Sequence, residues 1–129
     1  MRSWTGTSPC AVIIHRSCSA ITRGTTAVET VLAALGACMT GQFAAEATRR
    51  GVRIDSLTVD LECTTDLNGM FGLQPIRPGL RDVTLSYRVA SDADEETLQE
   101  ILDTARSLSP VFDTVTKPVA VAATLQKES

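Results

Sequence analysis

The side chains of this sequence that could carry out chemistry are mainly thiols. The chain has four cysteines, Cys10, Cys18, Cys38 and Cys63, but only one histidine, His15. No two cysteines form a Cys-x-x-Cys pair, so the ligand spacing of a zinc site is missing and we predict neither a metal nor a cofactor. His15 has no nucleophile partner that the sequence identifies, and we do not expect a hydrolytic triad. Thiol chemistry remains, and it requires surroundings that lower the pKa of a cysteine.

Cys38 is the cysteine that the sequence places most clearly. It lies in residues 25–51, the longest segment whose apolar side chains recur at three- and four-residue spacing. This period predicts a buried helix, with Cys38 on the apolar stripe and not toward solvent. Thr26 followed by Glu29 is a capping-box pattern at its start, and Gly51 after two arginines is typical of a helix end. The small residues at its centre would let another backbone approach closely.

Two interpretations of Cys38 stay open from the residues alone. Burial among apolar side chains makes a thiol inert, as in many protein cores. Cys38 is also about three turns into its helix, whereas the helix macrodipole acts mainly within the first turn. A reactive thiol would therefore need a cation brought to it, and Arg16 and Arg23 are the candidates ahead of the helix.

Two alternating segments predict half-buried strands. Apolar and polar side chains alternate in residues 57–63, which places Cys63 on the apolar face, and again in residues 83–89. Residues 66–79 between them are rich in glycine and proline and predict a loop or wide turn. We therefore expect the two strands to pair antiparallel.

The N-terminal region predicts little regular structure, whereas the C-terminal part predicts two helices. Residues 1–24 are a short N-terminal region with one β-branched run, residues 11–14, for which we expect an edge strand or hairpin that another subunit completes. Near the C-terminus, Asp92 with Glu95 predicts the cap of a second sizeable helix. Ser109 before proline predicts the N-cap of a short helix through about residue 116.

Alternation at residues 119–125 predicts a final strand. Together the segments predict one α+β domain over residues 1–129, with a mainly antiparallel sheet and two sizeable helices.

Charge and hydropathy exclude several classes of partner. The net charge of −3 and the lack of any basic cluster argue against nucleic-acid binding. Glu29 interrupts the longest apolar run, so we expect no membrane span, and the N-terminal residues have no apolar core of a secretory signal. We therefore expect a cytoplasmic protein whose thiols are kept reduced.

Two stretches, VETVLAALGACMT and SLSPVFDTVTKPVAV, resemble the OsmC/Ohr family of osmotically induced and organic-hydroperoxide-resistance proteins. The resemblance extends over residues 25–125 and includes the Gly-x-x-Ile-Asp-Ser-Leu-x-Val strand between them. It implies an intertwined homodimer in which sheets from both chains wrap around two long central helices.

The same resemblance implies roles for three residues. Cys38 matches the cysteine that attacks organic hydroperoxides and becomes a sulfenic acid. Ser109 matches the second cysteine of the family pattern, and a hydroxyl cannot close a disulfide. Glu29 takes the part of a glutamate that holds an activating arginine. The residues alone also allow simpler interpretations, in which Glu29 belongs to a capping box and Ser109 is an N-cap.

The sequence therefore allows three functions. In the first, Cys38 reduces hydroperoxides, and its sulfenic acid is resolved by an external thiol reductant or by Cys63. In the second, the chain is a non-catalytic small-molecule-binding protein on the same scaffold. In the third, the dimer has a structural role and binds no ligand.

Overall fold

The computed structural model describes residues 2–5 and 10–14 as backbone strands and residues 27–128 in full. Within these residues, helices and strands follow one another in the order ββαβαβαα. Their bounds are β1 Arg2–Thr5, β2 Cys10–Ile14, α1 Ala27–Arg49, β3 Ile54–Thr64, α2 Leu67–Met70, β4 Arg81–Ser91, α3 Glu95–Leu108 and α4 Pro110–Thr116. This is the predicted α+β class, and α2 adds a single turn inside the predicted loop.

The described strands form one sheet in the order β1-β2-β3-β4. β1 and β2 pair antiparallel, which confirms the hairpin predicted for the N-terminal region, although residues 11–14 lie in β2 and not in an edge strand. β3 and β4 also pair antiparallel, as predicted, with Leu57 opposite Val89 and Leu61 opposite Leu85. β2 and β3 run parallel, with Cys10 opposite Leu57. Parallel neighbours need a long crossover connection, and α1 lies in the connection between these two strands.

The core lies between β3, α1 and α3. Alternate residues of β3 are buried from Leu57 to Cys63, as the sequence pattern predicted. The ring of Phe43 on α1 stacks on Tyr87 of β4, with 6.2 Å between the ring centroids. The buried apolar residues are Leu32, Leu35, Met39, Phe43, Ala47, Leu57, Val59, Leu61, Cys63, Ile101 and Ala105.

Gly51 ends α1 as predicted. Its φ of +69° lies in the left-handed region, which glycine enters without a steric penalty. The amide of Gly51 donates to the carbonyl of Thr48, and the amide of Val52 donates to the carbonyl of Ala47. These two bonds form a Schellman motif, which satisfies carbonyls left over at the helix end. The predicted cap at Thr26 lies outside the described residues.

The predicted cap of the second sizeable helix is wrong by two residues. The Asp94 carboxylate accepts a hydrogen bond from the Thr97 amide at 2.8 Å, so Asp94 and not Asp92 is the N-cap of α3. Ser91 explains the difference, because its hydroxyl accepts from the Ala93 amide and holds the chain in a bend before the helix begins.

The predicted strand at residues 119–125 does not form in the described chain. Residues 118–128 have no regular secondary structure, and Val121 and Leu125 are 86% and 95% exposed. An alternating pattern becomes a strand only where another strand supplies hydrogen bonds, and no described strand pairs with this segment. The short helix predicted before it is confirmed as α4.

A cluster of charged side chains joins α1 to α3. Arg50 donates to Glu46 within its own helical segment and to Glu100 on α3, each at 2.8 Å, and to the Thr104 hydroxyl at 3.2 Å. Arg49 also pairs with Glu46. The hydrogen bond from Arg50 and the charges of both arginines lower the pKa of Glu46, although burial opposes them.

By length and hydropathy, α1 could cross a membrane, and it is the one described helix that could. Glu29 does not prevent this, since no charged residue follows it until Glu46. In the fold, eight residues of α1 are buried, and its largest buried side chains belong to the core shared with β3 and α3. Packing in the domain core therefore accounts for the apolar character of this side of the helix.

We expect Glu46→Gln to destabilise the domain at neutral pH but not in acid. Because the pKa of Glu46 is lowered from 4.5 by folding, its stabilising effect is complete above that value and is lost as pH falls through the folded pKa. Urea unfolding at about pH 7 and about pH 3 should show a difference from wild type that closes in acid. Glu62→Gln, at an exposed position of β3, is the matched control. If Glu46→Gln lowers the free energy of unfolding equally at both pH values, the prediction is contradicted.

Candidate functional site at Cys38 and Ser109

Cys38 lies near the middle of α1 and is half-buried, less than the sequence predicted. The buried stripe of α1 passes through Leu35 and Met39, and Cys38 lies at its border. On the same side and two turns earlier, Val31 is 43% exposed. The thiol therefore lies at the boundary between the core and the surface, where a reagent from solvent could reach it.

Ser109 is the single residue between α3 and α4, and it is 1% exposed. Its backbone is extended, with φ −77° and ψ 115°, so the chain changes direction there. Its hydroxyl accepts a hydrogen bond from the Phe112 amide at 3.1 Å, and Pro110 occupies the first helical turn. The prediction that Ser109 is an N-cap is confirmed.

The fold brings Ser109 and Cys38 together from positions 71 residues apart. The Ser109 hydroxyl donates to the Cys38 sulfur, with 3.0 Å between Oγ and Sγ. The same oxygen accepts from the Phe112 amide, so it takes part in both bonds at once. The two positions that the resemblance assigned to one reaction are thus in direct contact. One supplies a sulfur and the other a hydroxyl.

Glu29 is half-buried in the first turn of α1, nine residues before Cys38. In an α-helix this separation is about 13.5 Å along the axis and about two and a half turns, which places the two side chains on opposite sides. Direct contact between them within one chain is therefore excluded by helix geometry. The role given to Glu29 by the resemblance stays a prediction, and Arg16 and Arg23 lie outside the described residues.

Cys63 is buried in β3 and faces the core, as predicted. Cys38 is a free thiol. The proposal that Cys63 resolves an oxidised Cys38 stays a prediction. Within the described residues there is no group of three or more His, Cys, Asp or Glu side chains that could hold a metal ion.

The sequence interpretation missed two features of the interior. The first is the Glu46–Arg50–Glu100 cluster, for which only the four-residue spacing of Glu46 and Arg50 gave a signal. The second is Tyr87, whose pKa burial raises to about 12. Its hydroxyl is therefore neutral at physiological pH, and no described group bonds to it. The Cys38–Ser109 contact, which contains a thiol, is the candidate site.

Comparison with known proteins agrees with the resemblance. A family model described as OsmC-like protein matches residues 18–124. Among solved structures, the chain is similar to an OsmC like protein from Mycoplasma pneumoniae, with a TM-score of 0.66 and 19% identity over 80% of this chain and 70% of that chain. At this identity the likeness concerns the fold. No curated protein matches the chain.

Replacing Ser109 by cysteine should create a disulfide with Cys38. Because Oγ lies 3.0 Å from Sγ, a small rotation brings a sulfur at position 109 to the bond length of about 2.05 Å. After mild oxidation, a non-reducing peptide map should show the cross-link between α1 and the α3–α4 junction. Ser107→Cys, on the exposed side of α3, is the control that should not cross-link, and two free thiols in oxidised Ser109→Cys would contradict the geometry.

Proposed function

Because the chain belongs to the OsmC-like family, we propose that it reduces organic hydroperoxides through Cys38 and uses an external thiol as reductant. Membership in this family indicates a stress-associated protein. The observation that supports the specific activity is the contact at Cys38. A half-exposed sulfur is held by a buried hydroxyl at the two sequence positions where the family resemblance expects its reacting pair.

The proposed first step is attack of the Cys38 thiolate on the terminal oxygen of the hydroperoxide. The S–O bond forms as the O–O bond breaks, so the sulfur is oxidised by two electrons and the peroxide is reduced to an alkoxide. The alkoxide takes up a proton and leaves as an alcohol, and Cys38 becomes a sulfenic acid. Only a sulfur that a peroxide can reach supports this step, and Cys38 is half-exposed.

The second step differs from a two-cysteine cycle because position 109 carries a hydroxyl. A low-molecular-weight thiol condenses with the sulfenic acid, and water leaves as the mixed disulfide forms. A second thiol molecule then releases Cys38 and a small disulfide. We place this reaction in a reducing cytoplasm, which supplies such thiols and keeps Cys38 reduced.

The alternative is a non-catalytic binding protein on the same scaffold, and Ser109 is the observation that favours it. A hydroxyl fully used as helix cap and hydrogen-bond donor satisfies the local structure without any reaction. In that case Cys38 contributes packing and the site binds a small molecule without turnover.

Cys38→Ser separates these two functions. With an organic hydroperoxide and a low-molecular-weight thiol, we expect peroxide consumption by the wild type and only the uncatalysed rate with Cys38→Ser. Cys63→Ala is the matched control, and it should retain the wild-type rate because the external thiol resolves the sulfenic acid. Equal rates for wild type and Cys38→Ser would reject the enzyme and leave the binding function.

We also propose that the protein acts as a homodimer through the exposed side of α1. That side is formed by Ala34, Ala37, Gly41 and Ala45, all exposed and all small, without a charged residue among them. Helices that face water normally carry charged or polar residues there, and small apolar residues instead allow a second helix to approach. A second copy of α1 would cover this surface.

The C-terminal segment supports the same partner. Residues 119–125 alternate between apolar and polar or small side chains, are exposed, and have no described strand beside them. β4 is at the end of the described sheet and has one neighbour, β3. A strand contributed by a second copy would satisfy both the unpaired edge and the unpaired segment.

Gly41→Glu tests the dimer while leaving the single chain undisturbed. A Cβ at Gly41 meets no atom within 4 Å, and glutamate is a better helix former than glycine. We expect this variant to fold but to sediment as a monomer where the wild type sediments as a dimer. Ser56→Glu adds the same charge at an exposed position of β3 and serves as the control. A dimer that persists in Gly41→Glu would exclude this side of α1 as the interface.

A further inference from the structure

We propose that Ser109 is a positioning residue for Cys38, whose hydroxyl proton is directed at the sulfur and stabilises it as a thiolate. This inference rests on the proposed function, because it concerns the same sulfur. It gives Ser109 a part in the reaction other than that of a lost second cysteine, through the 3.0 Å contact between Oγ and Sγ.

The direction of the hydrogen bond agrees with the partners of the hydroxyl and with an ionised sulfur, which has no proton to donate. A serine hydroxyl has one proton to donate and two lone pairs that accept. The Phe112 amide can only donate, and it occupies a lone pair of Oγ at 3.1 Å. The hydroxyl proton is then free to point to the sulfur. Because Ser109 is 1% exposed, water has little access to compete for that proton.

The backbone around Ser109 holds the hydroxyl in place. Its carbonyl accepts from the Asp113 amide at 3.0 Å, so both oxygens of the residue are bonded to the beginning of α4. Pro110 restricts the backbone of Ser109, the residue before it, and α3 ends at Leu108, immediately before Ser109. A donor fixed in this way needs little reorganisation when charge develops on its acceptor.

A fixed donor affects a thiolate more than a thiol. Hydrogen bonds to an ionised acceptor are roughly twice as strong as those between neutral groups, so the Ser109 hydroxyl favours the anionic sulfur. The thiolate is the nucleophilic form of cysteine. The contact also restricts rotation of the Cys38 side chain and keeps the sulfur at the border of the exposed surface. Ser109 would thus raise the fraction of Cys38 in the nucleophilic thiolate form without touching the peroxide.

The competing explanation is that Ser109 only caps α4. Glycine at an N-cap costs a helix only a few tenths of a kcal/mol, so Ser109→Gly removes the hydroxyl with little loss of the cap. Ser109→Thr keeps both the hydroxyl and the cap. The two variants therefore separate donation to the sulfur from helix capping.

The test measures alkylation of Cys38 by iodoacetamide at neutral pH in the full-length protein, resolved by peptide mass spectrometry. Cys38 and Cys63 fall on different tryptic peptides, separated by the arginines that end α1. We expect the Cys38 rate to fall about tenfold in Ser109→Gly and to recover in Ser109→Thr. The ultraviolet absorbance of the thiolate should fall and recover with it.

Buried Cys63 reports local unfolding in the same experiment, because its alkylation rate should be unchanged in every variant. Ser109→Ala repeats the measurement with a side chain that fills more of the space, so that the conclusion does not depend on glycine or threonine folding well. A Cys38 rate within about a factor of two of wild type in folded Ser109→Gly and Ser109→Ala would overturn the proposal.

Failure of this inference is distinguishable from failure of the peroxidase proposal. If Cys38→Ser leaves peroxide consumption unchanged but loss of the Ser109 hydroxyl slows alkylation of Cys38, the positioning role is supported and the peroxidase activity is rejected. If Ser109→Gly and Ser109→Ala keep the wild-type rates of Cys38 alkylation and of peroxide consumption, the peroxidase activity is supported and Ser109 acts only as the N-cap of α4.

Discussion

Burial of α1 against β3 and α3 is the interaction on which the remaining structure depends. Leu32, Leu35, Met39 and Phe43 are each at most 3% exposed. Burying one such side chain contributes about 1.5–3 kcal/mol, so the four together are comparable with the net stability of a whole domain, about 5–15 kcal/mol. The parallel pairing of β2 with β3 depends on the same helix, because α1 lies in the crossover between them.

Two polar contacts join α1 to α3 and to the residue that follows α3. Arg50 reaches Glu100 and Thr104 in the middle of α3, and Cys38 meets Ser109 just beyond its C-terminal end. The contact nearer the N-terminus of α1, at Cys38, is the one nearer the C-terminus of α3, at Ser109. The two helices therefore pack antiparallel. The ionic contact is partly exposed and weakened by salt, whereas Ile101 and Ala105 on the same helix are fully buried apolar residues. Hydrophobic packing therefore sets the register, and the polar contacts follow from it.

The chemistry of the site follows from one atom. In the proposed reaction, a sulfur at position 109 would close an internal disulfide, whereas the oxygen present leaves Cys38 to react with an external thiol. The same oxygen caps α4 and bonds to Cys38, so one side chain serves the helix and the thiol. In the proposed reaction both the oxidant and the reductant must reach the sulfur from outside, and Cys38 is only partly buried.

The sequence by itself determined the features that depend on neighbouring residues. The period of residues 25–51 predicted α1, Gly51 predicted its end, alternation predicted β3 and β4, and the Ser-Pro pair predicted the cap of α4. These are decided within a few residues by side-chain periodicity and by capping hydrogen bonds. Tertiary structure alone decided the contact of Cys38 with Ser109, the half-exposure of Cys38, the bridge from Arg50 to α3 and the absence of a strand after α4 within the described chain. Each of these depends on distances between elements far apart in the chain, which only the packing of the core fixes.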